Sequence, residues 1–461
     1  MIGGGKAVKY IHSVTLDKDK CLGCTNCIKR CPTEAIRVRG RKAAITPERC
    51  IDCGECIRIC PHNAKKAIFD PFDKTEFSYR IVLPAPALYG QFNNIDDIDL
   101  ILTGLKLCGF DEVFEVSRAA ELVTGYTRRL LAEHKADHPY ISTACPAVVR
   151  LVEVRFPYLR DYLLPIASPV ELAARLARSE AQKKHPSLKP EEIGVFFVSP
   201  CPAKVSYVKN PIGFEKSAVD RVLSMSEIYR RLLSVLPEVK RPELLSHSGV
   251  IGISWAATGG EAAGLLNERY LAADGIENVI KVLDEIENEN FAGLEFIELN
   301  ACCGGCVGGV MAVENPFIAK ARIQKLRKYL PLSENHIEDV PHAERLGWER
   351  GTENNPALRL NDDRTQAIEM SRRIKELTAT LPGLDCGSCG APSCAALAED
   401  IVRGTAYESD CIFRMREEIQ DIFSRLADIE HVDLRGGFAK NVEREKKTEG
   451  TEHEDQRTEG V

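Results

Sequence analysis

The sequence predicts an α/β core, two lobes of parallel sheet flanked by helices, between a small α+β domain and a small helical module. Three observations predict it. From residue 76 to 335, short β-branched or apolar runs alternate with amphipathic segments, the pattern of parallel layers with sites at their strand ends. The 18 cysteines form three groups: eight between residues 21 and 60, six between 108 and 306, four between 386 and 411. Residues 336–375, rich in Glu, Asn, Pro and charge, read as linker and helix and part the last group from the rest.

Composition narrows the function classes. A chain of 461 residues, 44% hydrophobic and 28% charged, is globular and long enough for several domains. Its formal net charge of −7 argues against a nucleic-acid partner, which needs a basic face. No apolar stretch reaches the roughly 18–20 residues that span a bilayer, so no membrane partner is expected. The opening Met1-Ile2-Gly3-Gly4-Gly5-Lys6 lacks the apolar core of a secretory signal, and a cytoplasmic location is expected. In that reducing compartment the cysteines read as metal thiolates, not disulfides.

The first cysteine group lies in a domain expected over residues 15–75. It reads Cys21-Leu-Gly-Cys24-Thr-Asn-Cys27-Ile-Lys-Arg-Cys31-Pro32, and the spacing returns 29 residues later as Cys50-Ile-Asp-Cys53-Gly-Glu-Cys56-Ile-Arg-Ile-Cys60-Pro61. Three close thiolates hold three corners of an iron–sulfur cubane, and the cysteine before proline turns away to the other cluster. One 4Fe–4S centre is therefore assigned to Cys21, Cys24, Cys27 and Cys60, the second to Cys50, Cys53, Cys56 and Cys31. Zinc sites lack this doubled spacing. Between the halves, Ile36 to Ile45 alternates around Gly40 and reads as a hairpin. The segment resembles a bacterial two-cluster ferredoxin.

In the core, Arg80–Leu83, Gly194–Val198 and Leu294–Leu299 read as strands, and Ile95–Leu107, Val170–Gln182 and Ser226–Leu236 as helices. Three cysteine motifs follow strand-like runs: Ile141-Ser-Thr-Ala-Cys145-Pro146, Val198-Ser-Pro-Cys201-Pro-Ala-Lys204 and Asn300-Ala-Cys302-Cys303-Gly-Gly-Cys306-Val-Gly-Gly309. Cys145, Cys201, Cys302 and Cys306 suffice for another cubane; unrelated buried thiols are the alternative. Cys108 reads as a packed core thiol, and Cys303 as neutral packing in preference to a proton or redox group.

The last group, Cys386-Gly-Ser-Cys389-Gly-Ala-Pro-Ser-Cys394 with Cys411, suits one further 4Fe–4S centre over residues 376–412, with zinc the weaker alternative. It resembles the small iron–sulfur module of electron-transfer flavoprotein-like and corrinoid systems. An amphipathic helix is expected at 413–432: Ile412, Met415, Ile419, Ile422, Leu426 and Ile429 are spaced 3, 4, 3, 4, 3. Docking on its own module, self-association and partner docking all fit that seam. The polar residues 433–461 read as a disordered tail.

The three core motifs, in this order, resemble the signature loops of the FeFe hydrogenase catalytic domain. Pro84-Ala85-Pro86-Ala87, Cys108 to Val116 and Ala257-Thr-Gly-Gly260 follow in family order. The resemblance implies an H-cluster: a cubane on Cys145, Cys201 and Cys302, with Cys306 as fourth ligand and bridge to a two-iron unit carrying carbonyl, cyanide and a dithiolate amine. It implies that Lys204 contacts one cyanide and that Ala85 and Pro86 lie beside the other. Implied partners are dihydrogen and protons, a ferredoxin-like or other redox protein, maturation proteins and a signalling partner.

This chain also departs from the active members. Ala144 stands where they carry a proton-passing cysteine, Thr127 and Tyr207 where they carry relay carboxylates, Ser199 and Asn300 where methionines flank the two-iron unit. Ala87 replaces a frequent serine and Cys303 a frequent proline. Losing a positioned acid–base group costs roughly 10²- to 10⁴-fold in rate. The resemblance is thus to the sensory-like group without a PAS domain, and reversible but slow dihydrogen chemistry is expected of a ferredoxin hydrogenase-type oxidoreductase. Two alternatives stay open: a fully catalytic ferredoxin-linked enzyme with another proton route, and an electron-transfer or scaffold protein lacking the two-iron unit.

Overall fold

A computed structural model of the chain describes residues 12–133, 137–290, 293–339 and 346–430. The expected tail at 433–461 lies outside them. The chain divides into two compact units, residues 1–359 and 360–461.

The first unit holds two parallel sheets. Strands Tyr79–Pro84 (β5), Glu112–Val113 (β6), Ile193–Ser199 (β8) and Arg221–Ser224 (β9) form one, in the order β6-β5-β8-β9. Tyr140–Ile141 (β7), Tyr270–Asp274 (β10) and Phe296–Asn300 (β11) form the other, in the order β10-β11-β7. All neighbours are parallel, with β5 and β8 paired from Tyr79↔Ile193 to Pro84↔Val198. Every residue of β8 is buried, as a strand covered on both faces requires. Its sheet packs with helices Val116–Glu133 and Pro169–Lys184 in one apolar cluster; helices Pro146–Arg155 and Ile276–Glu287 pack with the second sheet in another.

The N-terminal domain carries four short strands: Val14–Leu16 (β1) pairs antiparallel with Lys65–Ala67 (β4), and Ile36–Arg39 (β2) with Lys42–Ile45 (β3), the expected hairpin. It is joined to the core by specific contacts. Asp52, 1% exposed, accepts from Ser13 N and from Ser206 Oγ of the core at 2.9 and 2.5 Å. Arg58 Nη2 donates to Gly308 O at 2.7 Å. Part of the stretch whose composition reads as linker returns to this unit: Trp348 N donates to Pro165 O, and Arg49 Nε of the N-terminal domain donates to Ala357 O.

The second unit is helical. Helices Arg364–Thr380 and Cys394–Val402 enclose a small core of Leu377, Leu381, Leu397 and Ala398, and helix Ile412–Glu430 follows. No helix among the described residues is long and apolar enough to cross a membrane.

Candidate metal centres

Each core loop leaves the C-terminal end of a parallel strand, where backbone is released around a common crevice. After β7 the chain reaches Cys145, extended, at the head of helix Pro146–Arg155; after β8 it reaches Cys201 at the head of helix Pro202–Lys209. Proline at the first helical position starts each helix without an orphaned N–H. After β11 the turn Gly304-Gly305 has φ of +81° and +85°, and a Cβ at Gly305 would stand 2.5 Å from Thr258 N. Only glycine fits there, and the turn points Cys306 inward.

The four sulfurs meet. Burial raises the Cys201 and Cys302 thiols and lifts Cys306 to about 12, and in each case the neighbouring cysteines of the group push the same way. Burial pulls the Lys204 ammonium down, but charge on Cys306, Cys201, Cys145 and Cys302 more than offsets this, so its pKa is raised. Lys204 Nζ donates to Ala144 O at 2.9 Å. Thiols this hard to ionise become ligands only where a metal takes the place of their protons. A buried cluster of four thiols beside a cation therefore suits an anionic metal cluster.

Cys306 and Lys204 also open on an adjoining recess of about 610 Å³. Ala85, Pro86, Ala144 and Asn300 line it, as do Val116, Phe197 and Trp255. Thr127 lies elsewhere, its hydroxyl spent on Val123 O of its own helix, and Ser199 Oγ donates to Cys201 O. Tyr207 is buried against Ser168, its pKa raised by burial. Cys108 is buried in the core as expected. Cys303 is not the packed thiol expected: it is exposed, and burial and Asp274 raise its pKa, so it is a neutral surface thiol.

Two functional candidates in the recess escape sequence inspection. Glu261 and Glu298 both line it, 7% and 3% exposed. Burial, then Glu298, pushes Glu261 up to about 8; burial also raises Glu298. Ser142 Oγ donates to Glu261 Oε2 at 2.7 Å, while Glu298 accepts from Gly259 N, Ala262 N and Asn300 Nδ2. The available signal was an acid in the midst of the apolar run Phe296-Ile-Glu-Leu299.

The other twelve motif cysteines gather as assigned by spacing. Cys31, Cys50, Cys53 and Cys56 line one recess of about 340 Å³, and Cys21, Cys24, Cys27 and Cys60 line another of the same size. Cys53 packs on the same apolar cluster as Cys145 and Cys201, so its group is the inner one; Cys24 is exposed, so its group is the outer. Lys65, 3% exposed, lines the outer recess with its Nζ lacking a hydrogen-bond partner; burial raises the Cys27 and Cys56 thiols, and the Lys65 charge opposes that rise. A buried unpaired ammonium is costly unless a counter-charge faces it; anionic clusters supply one. In the second unit, Cys386, Cys389, Cys394 and Cys411 line a recess of about 290 Å³.

Comparison with known proteins decides the family. Residues 78–262 and 238–310 match the iron only hydrogenase large subunit, C-terminal domain, which together is half of the chain. The chain belongs to the iron-only hydrogenase large-subunit family. Residues 13–61 match a 4Fe-4S dicluster domain and residues 381–413 an Fe-S cluster family. This hydrogenase-family chain is 25% identical over 295 residues to iron hydrogenase 1 of Clostridium pasteurianum, covering 52% of the chain and 50% of that relative. It is 24% identical over 363 residues to the periplasmic Fe hydrogenase large subunit of Nitratidesulfovibrio vulgaris, covering 65% of the chain and 86% of the relative. The chain thus spans half the length of the clostridial relative. A solved FeFe-hydrogenase from Chlamydomonas reinhardtii aligns over 60% of this chain and 89% of its own, with 18% identity and a TM-score of 0.45. The family is one of iron–sulfur oxidoreductases.

Proposed function

We propose that the chain carries a complete H-cluster and converts dihydrogen to protons and electrons slowly and reversibly, in a sensory or regulatory role. The observation that carries this is one convergence: Cys306, from the β11 loop, faces both a four-thiol group and a recess that Lys204 shares. In this reading Cys145, Cys201, Cys302 and Cys306 would hold the cubane, and Cys306 would also serve the two-iron unit. When bound, that unit supplies the metal at which dihydrogen is cleaved or formed.

The chain's own groups do the rest. The Lys204 ammonium holds an anionic ligand by charge and hydrogen bond, a role for which burial makes it effective. Ala85 and Pro86 shape the wall opposite, and Val116, Phe197 and Trp255 keep the recess dry. Ala144 carries no proton. The Cys50 group lies between the outer cysteines and the core, so electrons step through the cysteine groups of the N-terminal domain. Exposed Cys24 and Leu22 form the outer edge, with exposed Lys18, Lys20, Arg41 and Lys42 about them; that rim favours an acidic redox protein.

A second reading, a competent catalyst with its own proton route, is favoured by Glu261, whose pKa of about 8 keeps it protonated at neutral pH beside the recess. Infrared spectra of the anaerobically matured chain test the common ground: carbonyl and cyanide bands are expected, and their absence would falsify both readings. Turnover then divides the two. Slow wild-type turnover that rises with Ala144→Cys supports the sensory reading; fast turnover that falls roughly 10²-fold or more with Glu261→Gln supports the catalyst.

A further inference from the structure

Among the described residues, helix Ile412–Glu430 carries an unpartnered apolar surface that starts beside the C-terminal cysteine recess. Ile412, Met415, Ile419, Ile422 and Leu426 form its seam and are 42–56% exposed; Phe413 and Phe423, beside the seam, are 39% and 50% exposed. A helix docked on its own module would bury that seam. This one does not, although Met415 N donating to Cys411 O ties its first turn to the cysteine recess. Arg414 on the outer face pairs locally with Glu417 at 2.9 Å, and Arg425, flanking the seam, with Asp421 at 2.8 Å. What lacks a partner is the seam.

We propose that this helix pairs antiparallel with the same helix of a second copy of the chain. Spacing of 3 and 4 defines seam positions a and d, and e and g flank them. In the antiparallel register Ile419 meets Ile422 of the second copy, and Met415 meets Leu426. The flanks then complement each other: Glu418 faces Arg425 of the second copy, twice by symmetry, and Arg416 faces the Phe423 ring, a cation–π pairing. A parallel pair sets Glu418 against Phe423 and forfeits both. A lipid surface fits less well, because interfacial helices are rich in lysine and arginine. Here Arg414, Arg416 and Arg425 are outnumbered by Glu417, Glu418, Asp421, Asp428 and Glu430.

Sedimentation of the full cluster-loaded chain tests this. The expected mass is twice 51.1 kDa, falling to one chain in the double variant Ile419→Glu, Ile422→Glu with its iron–sulfur absorbance unchanged. Glu418→Arg and Arg425→Glu are each expected to weaken dimerisation about five- to tenfold, the scale of two symmetric surface pairs, while the two together restore it. A wild type that is monomeric at every concentration overturns the proposal. So does a dimer that the seam variant leaves intact, or single reversals that the double does not repair. Wild-type binding to phosphatidylglycerol vesicles as a monomer overturns it too and assigns the seam to lipid.

Discussion

The chain holds cysteine-rich modules at both ends, and they are built differently. The N-terminal module lies within the same compact unit as the core. Its Asp52 is buried under Ser13 and Ser206, its Arg58 reaches Gly308, and its Gly54 sits so close to the core that an added Cβ would stand 2.6 Å from Val310. The C-terminal module closes on itself: Asp385 Oδ1 accepts from Cys394 N, Ser393 caps helix Cys394–Val402, and its core comes from its own helices. The difference is one of construction: the inner cysteine group is fixed to the core by hydrogen bonds and packing, whereas the C-terminal recess is built from its own helices.

Glycines give the sharpest way to break the comparison. At Gly54, φ +82°, an added Cβ would stand 2.6 Å from Val310 Cγ2, whereas Gly383, at φ +68°, has nothing within 4 Å of its would-be Cβ. Gly54→Val is expected to cost roughly 3–5 kcal/mol, combining left-handed strain with overpacking. It should also slow electron delivery to the core, read as a lowered rate of cluster reduction by stopped flow. Gly383→Ala should cost only about 1–2 kcal/mol, the strain alone. Equal losses in denaturant unfolding would show that Val310 leaves room for a side chain at position 54.

A gentler perturbation is Lys65→Met. Removing a buried cation beside the N-terminal cysteines should lower those cluster potentials by roughly 50–100 mV, the scale of one charge several ångström away at an effective dielectric near 20. The C-terminal cluster should not shift. Redox titration followed by electron paramagnetic resonance reads both at once, and unmoved N-terminal potentials would place the ammonium's counter-charge elsewhere.

The smallest effect expected is on pH. Burial raises Glu115 and Glu153 to about 7 and Glu261 to about 8, all in the first unit. Each folded pKa lies above its unfolded value near 4.5, so the folded state binds more protons, and stability falls as pH rises from about 4.5 to 8. Thermal unfolding of the first unit should therefore move to lower temperature between pH 6 and 8.5, and Glu261→Gln should flatten part of that slope. A slope that the variant leaves unchanged would mean that Glu261 is charged in the folded protein.

Much of this was legible in the letters. The doubled Cys-x-x-Cys-x-x-Cys spacing placed two cysteine groups, because three ligands within one loop are a local fact. The strand-like run before Cys201 was legible because a fully buried parallel strand is a short apolar run. Lys65 and Glu261 were not: each is an ordinary charged letter whose meaning comes from losing its solvent. Cys303 misled for the same reason, since adjacency to Cys302 says nothing of which sulfur faces inward.

By itself, then, the sequence determined the local chemistry: which residues are candidate ligands, which loops start helices, which helix carries an apolar seam. Only the tertiary structure decided that Cys306, Lys204 and two carboxylates share one recess, and that the seam residues from Ile412 to Leu426 face solvent. The physical reason is that spacing along a chain fixes short-range geometry. Burial, which makes an acid keep its proton and a lysine seek an anion, is set by segments far apart in sequence that fold over them.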